Sequence, residues 1–413
     1  MQEAARLTRA GDPAAATRII QGALLLKPAT RSRSSVPEAG RRTTPMLILP
    51  VPVGTESAPA TNGQEAVEPF EDLPGAEVSA RVGRIEGLHK RGPLGEVIRH
   101  LRVLRPNNQP GIGEMLRRRQ GPLPVPDGAA FVERVFTSPA GSLSYKLYVP
   151  STLPTDPCPL IVMLHGCTQN PDDFAAGTKM NALAEEQGFM VVYPSQTRSA
   201  NNLGCWNWFR PGDQVRDSGE PGLIAGLCRA VMAEHSVDPG RVYIAGLSAG
   251  GAMACVMADA YPELFAAVAI HSGLPTGSAQ DVPSAFAVMR DGGANQLVIG
   301  RRELKPLPVP AIVFHGDSDG TVHPRNGELV FQQAARAAAG GEPITERGRS
   351  AGGREFTRCV LSSDANPIIE HWLVHGAGHA WSGGDPAGSY VDPAGPDASR
   401  EMLRFFQYHV KAK

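Results

Sequence analysis

The stretch from Arg241 to Ala258, RVYIAGLSAGGAMACVMA, decides how the chain is to be read. Val242, Tyr243 and Ile244 are β-branched or aromatic and suit a short buried strand. Past Ser248 the period changes, and Ala252, Met253, Val256 and Met257 recur at helical spacing. Ser248 therefore falls on the turn between a strand and a helix. Gly246-Leu247-Ser248-Ala249-Gly250 fits GxSxG, in which small residues allow a turn tight enough to hold a serine hydroxyl above a sheet edge. A bare GxSxG arises by chance, so its surroundings have to support it.

The surroundings alternate between strand and helix. FVERVFTSPAGSLSYKLYVP, from Phe131, reads as two strands around the turn SPAGS. PLIVMLHG (159–166), FMVVYP, FAAVAIHSG, VPAIVFHGDSD and IIEHWLVHG read as buried strands. Between them AAGTKMNALAEEQG, LIAGLCRAVMAEHSV and NGELVFQQAARAAA have helical periodicity, and SREMLRFFQYHV closes the chain as an amphipathic helix. Continuously apolar strands separated by helices predict a mostly parallel sheet covered on both faces. That is the setting an elbow serine requires.

The first part of the chain reads differently. Residues 1–26 predict two short amphipathic helices broken at AGDP, a helical hairpin. Residues 27–121 are rich in Pro, Gly, Ser, Thr and Arg with only short apolar clusters, and predict a largely irregular linker. Residues 122–413 then form the catalytic domain. The N-terminus lacks the basic-then-apolar order of a secretory signal, and no apolar run is long enough to span a bilayer. Cytoplasmic localisation is the favoured expectation, with an extracellular location as the alternative.

A formal net charge of −1 over 413 residues gives no global electrostatic reason for a nucleic-acid partner. A small or oligomeric neutral substrate fits better. The six cysteines, Cys158, Cys167, Cys205, Cys228, Cys255 and Cys359, are too scattered for a disulfide scaffold, and none forms a CxxC pair. No metal and no cofactor are expected.

A serine hydroxyl is a weak nucleophile at neutral pH and needs a base, which a third group orients. In α/β-hydrolases these partners follow in the order Ser, Asp, His, on loops after later strands. IVFHGDSDGTVHP offers Asp317 and Asp319 just past a strand, and WLVHGAGHAWSGG offers His375 at a strand end and His379 beyond two glycines. These residues alone leave the choice within each pair open.

From about residue 130 to the end the chain resembles the poly(3-hydroxybutyrate) depolymerase type esterases, an α/β-hydrolase family with feruloyl and acetylxylan esterase relatives. The motifs that carry the resemblance are LIVMLHGCTQNPDDF, GCWNWF, VDPGRVYIAGLSAGGAMA, AIHSG, IVFHGDSDGTV and GAGHAWSGG. The resemblance implies Ser248 as nucleophile, Asp319 as the triad acid and His379 as the base, and leaves Asp317 as a neighbour that structures its loop. It places one oxyanion donor on the Cys167 backbone. The other is the amide after the nucleophile, that of Ala249. Trp206, Trp208 and Trp381 are the candidate substrate-binding rings. Trp206 and Trp208 lie two apart, so on an extended segment both would face one way, with core packing as the competing reading.

If HGC supplies a donor and GCWNWF a substrate wall, both loops approach Ser248, and a Cys167–Cys205 disulfide is expected, against two reduced thiols as the alternative. Such a bridge would weigh against the cytoplasm. The function implied is that of a serine carboxylic-ester hydrolase working through an acyl-enzyme, on hydroxyalkanoate oligomers or polyester. Feruloyl or acetylxylan esters, or a weakly active hydrolase serving as a binding protein, are the alternatives. No separate polymer-binding module is read in the sequence, so soluble oligomers or small esters are favoured over crystalline polymer.

Overall fold

In the computed structural model, residues 123–292, 305–337, 341–363 and 366–411 are described. The hairpin expected at 1–26 and the linker expected at 27–121 lie outside them. The chain enters through an antiparallel pair, β1 (Ala130–Ser138) and β2 (Gly141–Val149). Then come β3 (Cys158–Leu164), helices α1 (Pro171–Thr178) and α2 (Met180–Gln187), and β4 (Met190–Pro194). Helix α3 (Gly219–Glu234), strand β5 (Val237–Leu247), helix α4 (Ala249–Ala260) and strand β6 (Ala267–His271) form the middle of the fold. It continues with α5 (Val282–Asp291), β7 (Ala311–Gly316), α6 (Arg325–Ala335), β8 (Ile344–Arg349), β9 (Glu355–Ser363) and β10 (Asn366–Val374). Two short strands, β11 (Trp381–Ser382) and β12 (Val391–Asp392), pair with each other before α7 (Ala398–Gln407).

Among the described residues ten strands share one sheet, in the order β1-β2-β4-β3-β5-β6-β7-β10-β9-β8. The run from β4 to β10 is parallel, and antiparallel pairs extend it at both edges. Strand residues alternate between two cores, as the two-residue period of a strand demands. Leu160, Val162, Val242, Ile244, Val268 and Ile270 face one core with α3 and α4, while Ile161, Met163, Tyr243, Ala245 and Phe314 face the other with α1, α2 and α7. Burial on both faces is why these strands read as unbroken apolar runs. The fold is that of an α/β-hydrolase, and Cys167, Ser248, Asp319 and His379 follow closely on the ends of the parallel strands β3, β5, β7 and β10.

Three local differences from the sequence expectations have physical causes. The single helix expected over AAGTKMNALAEEQG is two, because Lys179 takes a left-handed φ of 57° between α1 and α2. Helix α5 carried no expectation, although Asp281 and Ser284 form a capping box at its start. Strands β8 and β9 carried none either. In β8, ITERGR, nearly every residue is exposed at the sheet edge, so no buried face writes a pattern into the sequence. Among the described residues no helix is long and apolar enough to cross a membrane.

Candidate active site

Ser248 sits between β5 and α4 with φ 57° and ψ −120°. A non-glycine residue in such a conformation costs about 1–3 kcal/mol, which the surrounding packing must override. That packing is backbone against backbone. A Cβ on Gly246 would collide with the Gly250 carbonyl, and a Cβ on Gly250 would collide with the Leu164 carbonyl at the end of β3. Glycine at both positions thus permits the turn. The Ser248 amide donates to His271 O at 2.9 Å, which ties the elbow to the end of β6.

The acid and base arrive on two loops that pack against each other. A Cβ on Gly316, at the end of β7, would strike the Ala377 carbonyl, so Gly316 lets the loop after β10 cross closely. Asp317 N then bonds Val374 O at 3.1 Å and Ser318 N bonds Ala377 O at 3.0 Å. His379 Nδ1 donates to Asp319 Oδ2 at 2.7 Å. Asp319 Oδ1 accepts from the amides of Thr321 at 2.8 Å and Val322 at 2.9 Å. Burial opposes the Asp319 charge, but His379 and His315 outweigh it and hold the carboxyl well below the usual range. With Nδ1–H given to the carboxylate, Nε2 of His379 is left as the basic nitrogen.

Asp317 turns the other way. Its Oδ2 accepts from His375 Nδ1 at 2.9 Å and its Oδ1 from the Gly376 amide at 2.7 Å. Nε2 of His375 lies 2.8 Å from Thr357 Oγ1. The two Asp–His pairs are thus parallel, the inner one Asp319 with His379 and the outer one Asp317 with His375. Side-chain exposures of 0% for Asp319 and 35% for Asp317 separate a desolvated pair from a solvated one. Among the described residues the Ser248 hydroxyl makes no hydrogen bond to His379. In the absence of substrate such bonds are often long and tighten only on binding.

The loop after β3 presents Cys167 to the same place. A Cβ on Gly166 would lie 3.5 Å from Leu247 O and 3.6 Å from Ser248 Cβ, so the loop runs beside the elbow. Three of the loop's amides are occupied: Gly166 N by Gln169 Oε1 at 2.9 Å, Thr168 N by Leu203 O at 2.9 Å and Gln169 N by Gly166 O at 3.2 Å. The Cys167 amide takes no part in this set. The Ala249 amide opens α4, where no carbonyl a turn earlier can receive it and the helix dipole favours negative charge. Two unengaged amides beside a serine can stabilise a developing oxyanion.

Cys167 is disulfide-bonded to Cys205, with Cα atoms 4.3 Å apart and a sequence separation of 38. By loop-closure entropy a bridge of that span contributes about 4 kcal/mol. Cys158, Cys228, Cys255 and Cys359 are free. Thiol counting on denatured, unreduced protein is therefore expected to find four thiols, six less the bridged two; six would rule the bridge out.

The three tryptophans expected to bind substrate are all buried. Trp206, Trp208 and Trp381 are 0%, 6% and 1% exposed, and their rings pack inside the fold. An indole N–H in an apolar interior needs an acceptor. Trp206 Nε1 finds His165 O at 3.2 Å and Trp381 Nε1 finds Ser399 Oγ at 3.1 Å. Trp381 stacks on His271 at 5.1 Å, and Trp208 meets Phe209 edge-on at 5.7 Å.

Three buried histidines complete the frame. His271 Nε2 accepts from the Ser382 amide at 2.9 Å, anchoring the chain just past His379, and burial first, then the nearby His315 and His379, lowers its pKa to about 3. His165 receives Gln196 N on Nε2 at 3.1 Å, and His315 lies 3.5 Å from Asp319 Oδ2. Sequence reasoning overlooked Gln169, whose amide group ties Gly166 to Asp173 and Ser389 across gaps of up to 220 residues.

Residues 143–355 match the family described as esterase PHB depolymerase. The chain belongs to that family, and its fold is that of the α/β-hydrolases. Among curated proteins it is 36% identical over 265 residues to poly(3-hydroxyalkanoate) depolymerase C of Paucimonas lemoignei, covering 62% of this chain and 61% of that one. It is also 36% identical over 145 residues to feruloyl esterase B of Thermothelomyces thermophilus, covering 35% of this chain and 48% of that protein. The chain thus spans 61% and 48% of the lengths of these two relatives. A solved acetyl xylan esterase from Aspergillus awamori superposes with a TM-score of 0.51 at 22% identity, over 68% of this chain and 99% of that one, a likeness of fold.

Proposed function

We propose that the protein is a serine carboxylic-ester hydrolase acting on hydroxyalkanoate oligomers or related esters. Ser248 Oγ attacks the ester carbonyl while Nε2 of His379 takes its proton, and Asp319 holds the imidazole in the tautomer this requires. The Cys167 and Ala249 amides receive the carbonyl oxygen as it becomes negative, each worth about 10²–10³ in turnover. His379 then protonates the departing alcohol, and a water that it deprotonates releases the acid from the acyl-enzyme. The observation that carries this reading is the 2.7 Å bond between His379 and a fully buried Asp319. The names of the relatives support an ester substrate. A rate comparison on 3-hydroxybutyrate oligomers, feruloyl esters and acetylated sugars tests it, and fastest turnover of either of the latter two would reassign the acyl group.

The catalytic unit proposed is residues 122–413. A chain starting at Gln120 is expected to remain soluble and to hydrolyse short-acyl chromogenic esters, whereas its aggregation would show that the preceding segment covers apolar surface of the hydrolase. The Cys167–Cys205 bridge favours an oxidising compartment, and so the extracellular alternative over the cytoplasm.

A further inference from the structure

Beneath the Cys167 loop lies a buried carboxyl that the reaction itself does not use. Glu220, in the first turn of α3, is 8% exposed. Its Oε2 accepts from the Asn207 amide at 2.7 Å, and its Oε1 accepts from Asn207 Nδ2 at 2.5 Å and from Gln196 Nε2. All three neighbours are donors, an arrangement that only an ionised carboxylate can satisfy in full. Both donor residues lead to the site. Gln196 Nε2 also donates to Cys205 O at 3.2 Å, and the Gln196 amide holds His165 Nε2 at 3.1 Å, with His165 Nδ1 on Gly166 O at 2.8 Å. Asn207 follows Trp206, whose indole donates to His165 O, and Cys205, which is bonded to Cys167.

We propose that Glu220 is a positioning residue of the esterase: its carboxylate fixes Gln196 and Asn207, and through them the loop that aims the Cys167 amide. The proposal rests on the oxyanion role assigned to Cys167 in the reading above. Misplacing a donor by a fraction of an ångström weakens stabilisation of the transition state while leaving ground-state binding of a small ester nearly unchanged. The expected signature is therefore a loss in kcat with KM preserved.

The same carboxylate makes the alignment depend on pH. Burial pushes the Glu220 pKa up to about 7, against the donors of Asn207 and Gln196, which pull it down, and with the help of Asp213. Asp213, on the turn Pro211–Asp213, is the charged group facing it, and its Oδ1 accepts the Glu220 amide at 2.8 Å. His165, reached through Gln196, has its pKa lowered by its own burial. Because the folded-state pKa lies above the ordinary carboxyl value, the contribution of Glu220 to stability is fully present below that ordinary value. It is lost as pH rises through about 7. The ionised form that aligns the loop is thus the form that burial disfavours. Protonation relieves the fold and leaves an O–H among donors, so the loop slackens.

Glu220→Gln separates this from a merely structural role. Glutamine has the same shape but turns an NH2 toward the donors and cannot titrate. The ratio of wild-type to variant kcat on a short-acyl chromogenic ester is expected to fall from about ten at about pH 8.5 to about one at about pH 5.5, with KM unchanged. Taking the ratio removes any pH dependence common to both proteins. A ratio that does not vary with pH overturns the proposal. Gln196→Met gives a second test should Glu220→Gln fail to fold, because it deletes one donor and keeps the backbone bond to His165. The ratio of wild-type to Gln196→Met kcat is expected to rise as pH climbs through about 7, because the lost donor leaves the variant's carboxyl protonated to higher pH, and a flat ratio overturns the proposal as well. Ser248→Ala, run alongside, keeps the two readings apart. If it is inactive and the ratio is flat, only the role of Glu220 falls; if it is active, the esterase reading falls first.

Discussion

Ser248→Ala is expected to lower ester hydrolysis by about 10⁴-fold or more while leaving the fold intact, since a triad nucleophile acts as a unit with its base. The fold should survive because the hydroxyl makes no hydrogen bond among the described residues, whereas the Ser248 amide and carbonyl, which bond His271 O and Ala252 N, are untouched by the substitution. Alanine also keeps the strained φ of 57°, so the elbow geometry and its two amides persist. A small residual rate from those donors is therefore expected. Initial rates on a chromogenic butyrate ester, with circular dichroism as the check on folding, decide the matter. Retention of more than about a tenth of the wild-type rate would remove Ser248 from the mechanism.

The second large effect separates two aspartates that stand two apart. Asp319→Asn is expected to cut kcat by about 10³–10⁴, because an amide facing His379 Nδ1 stabilises the wrong tautomer and leaves the imidazolium uncompensated in a buried site. Asp317→Asn is expected to cost less than about threefold, since it touches His375 and the Gly376 amide at a position open to water, where ion pairs contribute little. Burial and partners both point the same way. The lowered pKa of Asp319 keeps it charged across the working range, so its replacement should depress the rate at every pH near and above neutrality. Steady-state kinetics of the two variants side by side test this, and the reverse order would hand the acid role to Asp317.

How much was legible in the sequence depends on how local each cause is. The elbow announces itself because strand propensity, glycine at two close-approach positions and helical spacing fall within eighteen consecutive residues. The parallel strands are legible for a related reason, since burial on both faces forces unbroken apolar runs. Helix α5 left a signal that went unread, the Asp281 cap followed by a proline, because only Ala285 and Val288 along it are buried and its apolar stripe is thin. Strand β8 left none, being polar and exposed at an edge. The burial of the tryptophans was not legible: a two-residue spacing describes side-chain direction on an extended strand but says nothing about which side carries an acceptor for the indole N–H.

By itself the sequence determined the α/β order of elements, the elbow at Ser248 and the shortlist of two aspartates and two histidines. Each of these follows from residues that are neighbours in the chain. Tertiary structure decided which aspartate meets which histidine, because that choice hangs on Gly316 allowing the backbone at Ala377 to cross the end of β7. It also decided that Cys167 and Cys205 meet, that the three tryptophans are buried, and that Glu220 gathers donors from 13 and 24 residues away. A glutamate in the first turn of a helix looks in sequence like an ordinary complement to the helix dipole. Only long-range packing, which removes it from water and surrounds it with N–H groups, raises its pKa and gives it leverage on the loop above.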